Sequence, residues 1–180
     1  MLDHITINNF EEESLENFLN KFNRLSASDE CSAIPIFINS EGGDINNCMA
    51  MCDMIEASEK PVYTIAMGKA YSAAGILLAA GHKGCRYMYP SASVMLHNIS
   101  VQSVSGQLVE LKTEYDELNR INALVYEKLD KWTGNPNGYF SALLEGNLRD
   151  LYFDAEKALN THIIDFIGIP NLAWTDTLED

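Results

Sequence analysis

Apolar residues recur at spacings of three and four in two early segments, EEESLENFLNKFNRLSA (residues 11–27) and DINNCMAMCDMIEAS (residues 44–58). This spacing puts the apolar side chains on one face and predicts two amphipathic helices. Short, mostly apolar runs lie around them and predict strands, in HITINNF, AIPIFINS, PVYTIAMG, CRYMYP and SVMLHN. A third helix is predicted for SAAGILLAAG, closed by Gly81.

The order of these elements indicates the fold class. Strands and helices alternate, and the strands are continuously apolar, as in strands that are buried on both faces. The pattern predicts an α/β fold with a mainly parallel sheet that helices cover on both faces.

The second half of the chain has a different texture. One helical pattern covers GQLVELKTEYDELNRINALVYEKLDKWTG, and the glycines and proline of GNPNG end it. Two shorter helices, YFSALLEGN and DAEKALNTH, and a terminal strand or turn, IIDFIGIP, are predicted after it. The 180 residues are enough for one domain with a sizeable core, so we expect residues 1–180 to form a single domain.

The composition excludes several classes of function. The formal net charge of −14 argues against a nucleic-acid surface and against docking on anionic lipid. The N-terminus shows no signal peptide, and the apolar runs are too short to span a membrane. The cysteines lack the spacing of a zinc site and are predicted to be reduced core thiols, which favours a cytoplasmic location: Cys31, Cys48, Cys52 and Cys85.

A single serine opens the third predicted helix. In GKAYSAAGILLAAG, Ser72 is followed by alanines and Gly75, which let backbone or substrate come close. A hydroxyl here can act as a nucleophile, because the amide of Ala73 and the positive end of the helix dipole can stabilise an oxyanion. The same serine can instead be an ordinary helix cap that satisfies the first amides. The segment alone leaves both interpretations open.

Three other positions carry candidate chemistry, each with an ordinary structural alternative. The diglycine of INSEGGD forms a tight turn whose exposed amides can bind an anion or, through Gly43, supply a second oxyanion donor. His97 ends the predicted strand SVMLHN, where an imidazole can serve as general base. Asp150 precedes an aromatic pair and a helix in LRDLYFDAEKAL, where it can orient a histidine or be a surface acid.

Taken in order, these segments resemble the proteolytic subunit of the Clp protease family. The resemblance is carried by FINSEGGD, GKAYSAAGILLAAGHKGCRYMYPSASVMLHN and LRDLYFDAEKALNTHIIDFIG, and it extends from about Ile34 to Gly168. It implies a crotonase-like α/β fold of ββα-type units with mainly parallel sheets and a long protruding handle helix. The implied head comprises residues 1–104 and 133–172, the handle about residues 105–132, and a flexible tail residues 173–180.

The resemblance also implies roles for the candidate residues. Ser72 matches the nucleophile, His97 the base and Asp150 the orienting acid of a catalytic triad, and the backbone amides of Gly43 and Ala73 match the oxyanion hole. The implied activity is a serine endopeptidase that cleaves unfolded proteins or short peptides without a metal or an organic cofactor.

The sequence departs from the family pattern at three places. Glu41 stands where the family often has a proline, and Ala73 stands where a bulkier residue such as methionine is common. Neither change removes chemistry, because only backbone amides would be used. Family members carry an N-terminal segment that engages an unfoldase, whereas this sequence starts almost at its first strand. Both an AAA+ unfoldase partner and a compact form that acts alone on peptides are therefore open expectations.

The implied assembly is a homo-oligomer in which seven subunits form a ring and two rings enclose a chamber. The long helix, from about Ser105 to Lys131, would pack one ring against the other. The segment NISVQSVSGQ before it would be the strand that faces the substrate.

Three alternatives remain open. A crotonase-like enzyme would use two backbone amides to hold the thioester oxygen of an acyl-CoA. A non-catalytic ring subunit would only act as a scaffold for partners. A Ser–Lys dyad would replace His97 by Lys69 or Lys83 as the base for Ser72.

Overall fold

The computed structural model describes residues 3–99, 108–145 and 150–171. Its elements, in chain order, are β1 (Ile5–Ile7), α1 (Glu12–Ala27), β2 (Ile34–Ser40), α2 (Ile45–Glu56), β3 (Val62–Tyr71), α3 (Ala73–Ala79), β4 (Arg86–Met88), β5 (Ser93–Leu96), α4 (Leu108–Thr133), α5 (Tyr139–Glu145), β6 (Leu151–Phe153), α6 (Ala155–Asn160) and β7 (Phe166–Ile167). The helices and strands predicted for these residues are present, and β6 is an additional strand.

The strands form one sheet that is parallel except at one edge. Strands β1, β2, β3, β4 and β7 are neighbours in that order, and each pairing is parallel. The first part of β3 pairs with β4, and its last part, Lys69–Tyr71, pairs in parallel with β5. Strand β6 adds to β5 in the antiparallel direction. The predicted α/β fold with a mainly parallel sheet is confirmed.

The main hydrophobic core lies on one face of this sheet. Alternate residues of β2 are fully buried there, namely Ile34, Ile36 and Ile38. They belong to one cluster with buried side chains of α1, α2 and α3, such as Phe18, Cys52 and Leu77. The apolar helical faces identified in the sequence are therefore the faces that pack on the sheet.

The opposite face of the sheet carries aromatic side chains that are only partly covered. The rings of Tyr63, Tyr87 and Phe166 stack in a row across three strands, with centroids 6.1 and 4.9 Å apart. All three residues are half-buried or exposed, as is Tyr152 on β6. For the residues that the structure describes, the prediction that helices cover both faces is therefore wrong.

Small residues let α3 lie close to the strands that carry the candidate site. A Cβ atom added to Gly75 would come within 2.9 Å of Leu96 Cδ2 and 3.2 Å of the Ala70 carbonyl oxygen. Gly81 follows the C-cap residue Ala80 and so lies where α3 was predicted to end, but it is not among the glycines with positive φ that form left-handed caps. A side chain at Gly81 would instead collide with Thr64, so its small size serves packing rather than capping.

Helix α4 is fastened to the rest of the chain near its C-terminal end. Lys128 Nζ donates to Asp53 at 2.8 Å and also to Glu56, and Lys131 Nζ donates to Glu56 at 2.6 Å. Towards the other end, the side chains of Val109 and Tyr115 are 76% and 65% exposed. The described part of the helix is thus anchored at one end and uncovered at the other.

A buried ion pair joins β4 to the segment before β7. Arg86 is only 2% exposed, and its guanidinium donates to both carboxylate oxygens of Asp165, at 2.9 and 2.6 Å. Arg86 also donates to the Trp132 carbonyl oxygen at 3.0 Å, which connects the pair to the end of α4. Burial alone would raise the pKa of Asp165, but the hydrogen bonds and charge of Arg86 outweigh it and lower that pKa.

Three predicted features lie outside the described residues. They are the substrate-facing strand beyond Ile99, the start of the long helix at Ser105 and the tail at residues 173–180. The division of the single domain into a head and a handle stays a prediction.

Candidate active site

Ser72 lies between β3 and α3 in a backbone conformation that few residues with a side chain adopt, with φ 55° and ψ −121°. Its N–H donates to the Met95 carbonyl oxygen of β5 at 2.8 Å, and its own carbonyl oxygen accepts from the N–H of Gly75 at 2.9 Å. Its side chain makes no capping hydrogen bond to α3. The helix-cap interpretation of this serine is therefore not supported.

The hydroxyl of Ser72 has a different partner. His97 Nε2 lies 2.8 Å from Ser72 Oγ, which is hydrogen-bond distance. His97 directly follows β5, and the parallel pairing of Tyr71 with Met95 brings the ends of β3 and β5 side by side. The structure thus brings together the two residues that the sequence predicted as nucleophile and base, although they are far apart in the chain.

Asp150 lies immediately before β6, at the same edge of the sheet. The antiparallel register pairs Met95 with Tyr152 and Leu96 with Leu151. Extending it by one residue sets Asp150 opposite His97, and side chains opposite each other on such strands are about 5 Å apart at Cβ. Asp150 is exposed, and within the described residues no hydrogen bond joins it to His97. The extended register thus favours neighbouring positions for the two residues, without a hydrogen bond between them in the described part of the chain.

The diglycine turn after β2 abuts the start of α3. Gly42 and Gly43 have φ of +101° and +150°, and a Cβ on Gly42 would lie 2.8 Å from Ser72 Cβ and 3.1 Å from the Ala73 nitrogen. The Gly42 N–H is taken by Ser40 Oγ at 3.1 Å. Within the described part of the chain, the N–H groups of Gly43 and Ala73 make no hydrogen bond, so both are available to a ligand.

A thiol supports α3 from behind. Cys48 Sγ donates to the Ala73 carbonyl oxygen at 3.1 Å and lies 4.0 Å from Cys52 Sγ. Both side chains are fully buried, and burial, reinforced by the hydrogen bond with Cys48, raises the pKa of Cys52 well above its usual value. Cys48 and Cys52 are core thiols, as predicted, whereas Cys31 and Cys85, predicted to be core thiols as well, are only half-buried; none of the four forms a disulfide.

The surface beside Ser72 and His97 carries an ion pair and a pair of tyrosine rings. Lys69 Nζ donates to a carboxylate oxygen of Glu41, the residue before the diglycine turn. One step along the sheet, the rings of Tyr71 and Tyr152 meet edge to face at 5.6 Å. The ammonium of Lys69 pairs with Glu41, whereas the hydroxyl of Ser72 pairs with His97. The structure therefore favours His97 over Lys69 as the base.

Sequence reasoning missed several of these neighbours. The pairing of Glu41 with Lys69 joins residues that are far apart in the chain, and β6 is only three residues long. The one available signal was the departure at Glu41, which replaces a proline next to the glycines. Cys48 was recognised as a core thiol but not as a contact of Ala73.

The other candidate groups do not gather at a second centre. His82 Nε2 lies 2.9 Å from the Ile55 carbonyl oxygen, and His4 packs edge to face on Phe37. In the part of the chain that the structure describes, no group of three or more histidine, cysteine, aspartate or glutamate side chains is placed to hold a metal ion. No helix among the described residues is long and apolar enough to cross a membrane.

Comparison with known proteins gives, among others, relatives named for the Clp protease proteolytic subunit. A protein of Arabidopsis thaliana, ATP-dependent Clp protease proteolytic subunit-related protein 2, chloroplastic, is 32% identical over 90% of this chain and 57% of its own length. ATP-dependent Clp protease proteolytic subunit 1 of Mycolicibacterium paratuberculosis and subunit 2 of Mycobacterium tuberculosis are each 33% identical over 79% of this chain. The matches cover 67% and 66% of those two proteins, so the chain spans little more than half to two thirds of these relatives' length.

The sequence model of one family matches almost the whole chain. It is described as Clp protease and covers residues 4–170, a span that includes every candidate site residue. Together with relatives that are about one third identical over most of the chain, this match shows that the chain belongs to the Clp protease family.

Proposed function

We propose that this chain is a Clp-type proteolytic subunit that hydrolyses peptide bonds as a serine endopeptidase, with Ser72, His97 and Asp150 as its triad. The observation that carries the proposal is the 2.8 Å hydrogen bond between Ser72 Oγ and His97 Nε2. A nucleophile within hydrogen-bond reach of a base, on a backbone held in a rare conformation, is typical of an active serine.

The proton moves between these two side chains. As Ser72 Oγ forms a bond to the peptide carbonyl carbon, His97 Nε2 takes the hydroxyl proton. When the C–N bond breaks, the same nitrogen returns the proton to the leaving amine, and an acyl-enzyme remains. Water activated by His97 then releases the acyl group. Asp150, opposite His97 in the extended register, would hold the imidazole in the tautomer that leaves Nε2 free to accept.

The oxyanion of the tetrahedral intermediate would be held by backbone N–H groups. Those of Gly43 and Ala73 make no other hydrogen bond within the described residues, and Gly42, the neighbour of Gly43, packs against Ser72 and Ala73. Ala73 is also the first residue of α3, where the helix dipole favours negative charge. No cofactor takes part in this mechanism.

Family membership supports a proposal about the substrate and the assembly. Relatives named as subunits of an ATP-dependent protease support a homo-oligomer of heptameric rings. Such an assembly requires surfaces of the subunit that remain open to neighbouring copies. The uncovered end of α4 and the aromatic face of the sheet are such surfaces. Inside a chamber, the site would act on unfolded proteins or short peptides, with an AAA+ unfoldase as partner and a cytoplasmic location.

A second candidate is a non-catalytic ring subunit. It is favoured by the exposed position of Asp150, which makes no hydrogen bond to His97 within the described residues. The family assignment favours both of these functions over the crotonase-like acyl-CoA enzyme.

Replacing the nucleophile separates the two candidates. Ser72→Ala should abolish peptide hydrolysis and covalent labelling by a fluorophosphonate, because no other group can form the acyl bond. Ser141 is a half-buried serine on α5. The variant Ser141→Ala is the matched control and should behave as wild type. Equal hydrolysis by wild type and Ser72→Ala would disprove the serine mechanism, and an unlabelled, inactive wild-type assembly would establish the non-catalytic subunit.

A further inference from the structure

One ion pair connects the two segments that carry the free N–H groups. Glu41 opens the turn that contains Gly42 and Gly43, and Lys69 lies in β3, three residues before Ser72. Lys69 Nζ donates to Glu41 Oε1. Both side chains face solvent, Glu41 being 69% and Lys69 40% exposed, so the contact lies on the open side of the site rather than in the core.

An irregularity in β3 brings Lys69 to this position. The register pairs Ile38 with Ala66 and then Ser40 with Ala70, so that β3 has two more residues than β2 between these pairs. Gly68 lies in this bulge with φ +73°, and a Cβ there would come within 3.0 Å of Asn39 Oδ1. Bulges re-aim side chains next to active sites. Here the re-aimed side chain is Lys69, whose ammonium meets the start of the diglycine turn.

The backbone of the turn also meets β3, since Ser40 pairs with Ala70 and a Cβ on Gly42 would lie 2.7 Å from the Tyr71 carbonyl oxygen. The Gly42 N–H donates to Ser40 Oγ within β2, and Asp44 accepts from the amides of Asn46 and Asn47 at the start of α2. Glu41 adds a side-chain contact between the turn and the strand that continues into Ser72 and Ala73. A shift of the turn relative to α3 would therefore strain or break the pairing of Glu41 with Lys69.

We propose that Glu41 and Lys69 are positioning residues, whose ion pair holds the Gly43 N–H in register with the Ala73 N–H so that both point at one oxyanion. This inference rests on the proposed peptidase function and names two residues that the catalytic steps themselves do not use. Exposed ion pairs contribute little to folding stability. Catalysis is more sensitive, because misplacing a catalytic group by about 1 Å can cost on the order of 10²-fold in rate.

A double-mutant cycle tests the pair directly. Glu41→Gln and Lys69→Met should each lower kcat about tenfold with KM unchanged, because the oxyanion forms only in the transition state. The double variant Glu41→Gln/Lys69→Met should be no worse than either single variant, and the exchanged pair Glu41→Lys/Lys69→Glu should recover much of the loss. Inhibition by a peptide boronate, which mimics the tetrahedral intermediate, should weaken in parallel with kcat/KM.

The control breaks an exposed ion pair elsewhere. Arg24→Gln removes the contact with Asp3, at 2.6 Å and similarly exposed, and should leave kcat and Tm unchanged. Tm should also stay within a few degrees in the Glu41 and Lys69 variants, so that a loss of folding is recognised as such.

Two outcomes overturn the inference and are distinguishable. If wild type hydrolyses peptides but the single variants keep its kcat, or the two losses multiply in the double variant, the pair does not act as a unit and this inference alone fails. If wild type is neither labelled at Ser72 nor active, the proposed function fails, and the inference falls with it.

Discussion

Ser72 adopts φ 55° and ψ −121°, a conformation that costs on the order of 1–3 kcal/mol for a residue with a side chain. Hydrogen bonds on both sides offset the cost, one to Met95 on β5 and one from Gly75 in α3. The same bonds fix the hydroxyl relative to His97, which follows Met95 by two residues. At the scale of the residue, the site therefore depends on backbone placement as much as on side-chain identity.

The role of Asp150 is testable at this scale. Asp150→Asn should lower kcat by about 10⁴-fold, because an amide can no longer stabilise the imidazolium or select its tautomer. KM should change little, and fluorophosphonate labelling of Ser72 should slow in parallel. Stopped assays of peptide hydrolysis over a range of substrate concentrations give both constants.

A nearby aspartate provides the control for this experiment. Asp154 caps α6 by accepting from the Lys157 N–H at 2.8 Å, so Asp154→Asn probes a structural acid four residues away and should keep kcat. An Asp150→Asn variant that retains wild-type kcat would remove Asp150 from the triad.

At the scale of the element, the apolar runs predicted the parallel strands and the spacing of three and four predicted the helices, because burial imposes both patterns. Strand β6 was not predicted, because the three residues before the Asp154 cap are too few to show a periodicity. The strand forms through its pairing with β5. The extension of β3 to Tyr71 past Gly68 escaped for the same reason. The contact between Ser72 and His97 could be expected from the order of their motifs, whereas the contact of Glu41 with Lys69 is set by tertiary structure.

The attachment of α4 to α2 gives a prediction about pH. Burial alone would raise the pKa of Glu56, but hydrogen bonds from Lys128 and Lys131 outweigh it and lower that pKa to about 2. Since the folded-state pKa is below the unfolded value, the carboxylate stabilises the fold above pH ~4.5 and loses its contribution as the pH falls towards 2. Glu56→Gln should therefore cost about 0.5–1 kcal/mol in the free energy of unfolding at pH 6, and the difference from wild type should shrink below pH ~4.5.

Urea unfolding of both proteins at a series of pH values measures this difference. Glu59→Gln, at an exposed glutamate three residues further on, is the control and should have no such effect. A Glu56→Gln deficit that stays constant down to the lowest accessible pH would contradict the ionic attachment.

At the scale of the whole molecule, two surfaces are left without cover in the described residues. One is the row of stacked rings on the sheet, and the other is the end of α4 that carries Val109 and Tyr115. Large exposed apolar side chains of this kind mark interaction sites. Both are consistent with a subunit that completes its packing against copies of itself.

The end of α4 can be tested without touching the site. Tyr115→Glu should lower the mass of the native assembly, because a carboxylate opposes burial of this side chain at an interface between copies. Thr113→Glu adds the same charge to the same helix but points elsewhere, since successive residues are about 100° apart, and should leave the mass unchanged. Sedimentation of the two variants decides between them, and equal masses would exclude this surface from the assembly.

The change of pairing partner along β3, from β4 to β5, also bears on how such a chain can change over evolution. The first half of β3 pairs with β4, whereas its last three residues pair with β5. Adding or deleting one residue between this change of partner and Ser72 would shift the serine along the strand by about 3.3 Å and turn its hydroxyl to the other face of the sheet. A change of length in this stretch would therefore displace the nucleophile itself, so the spacing from Gly68 to Ser72 is the quantity that selection must keep.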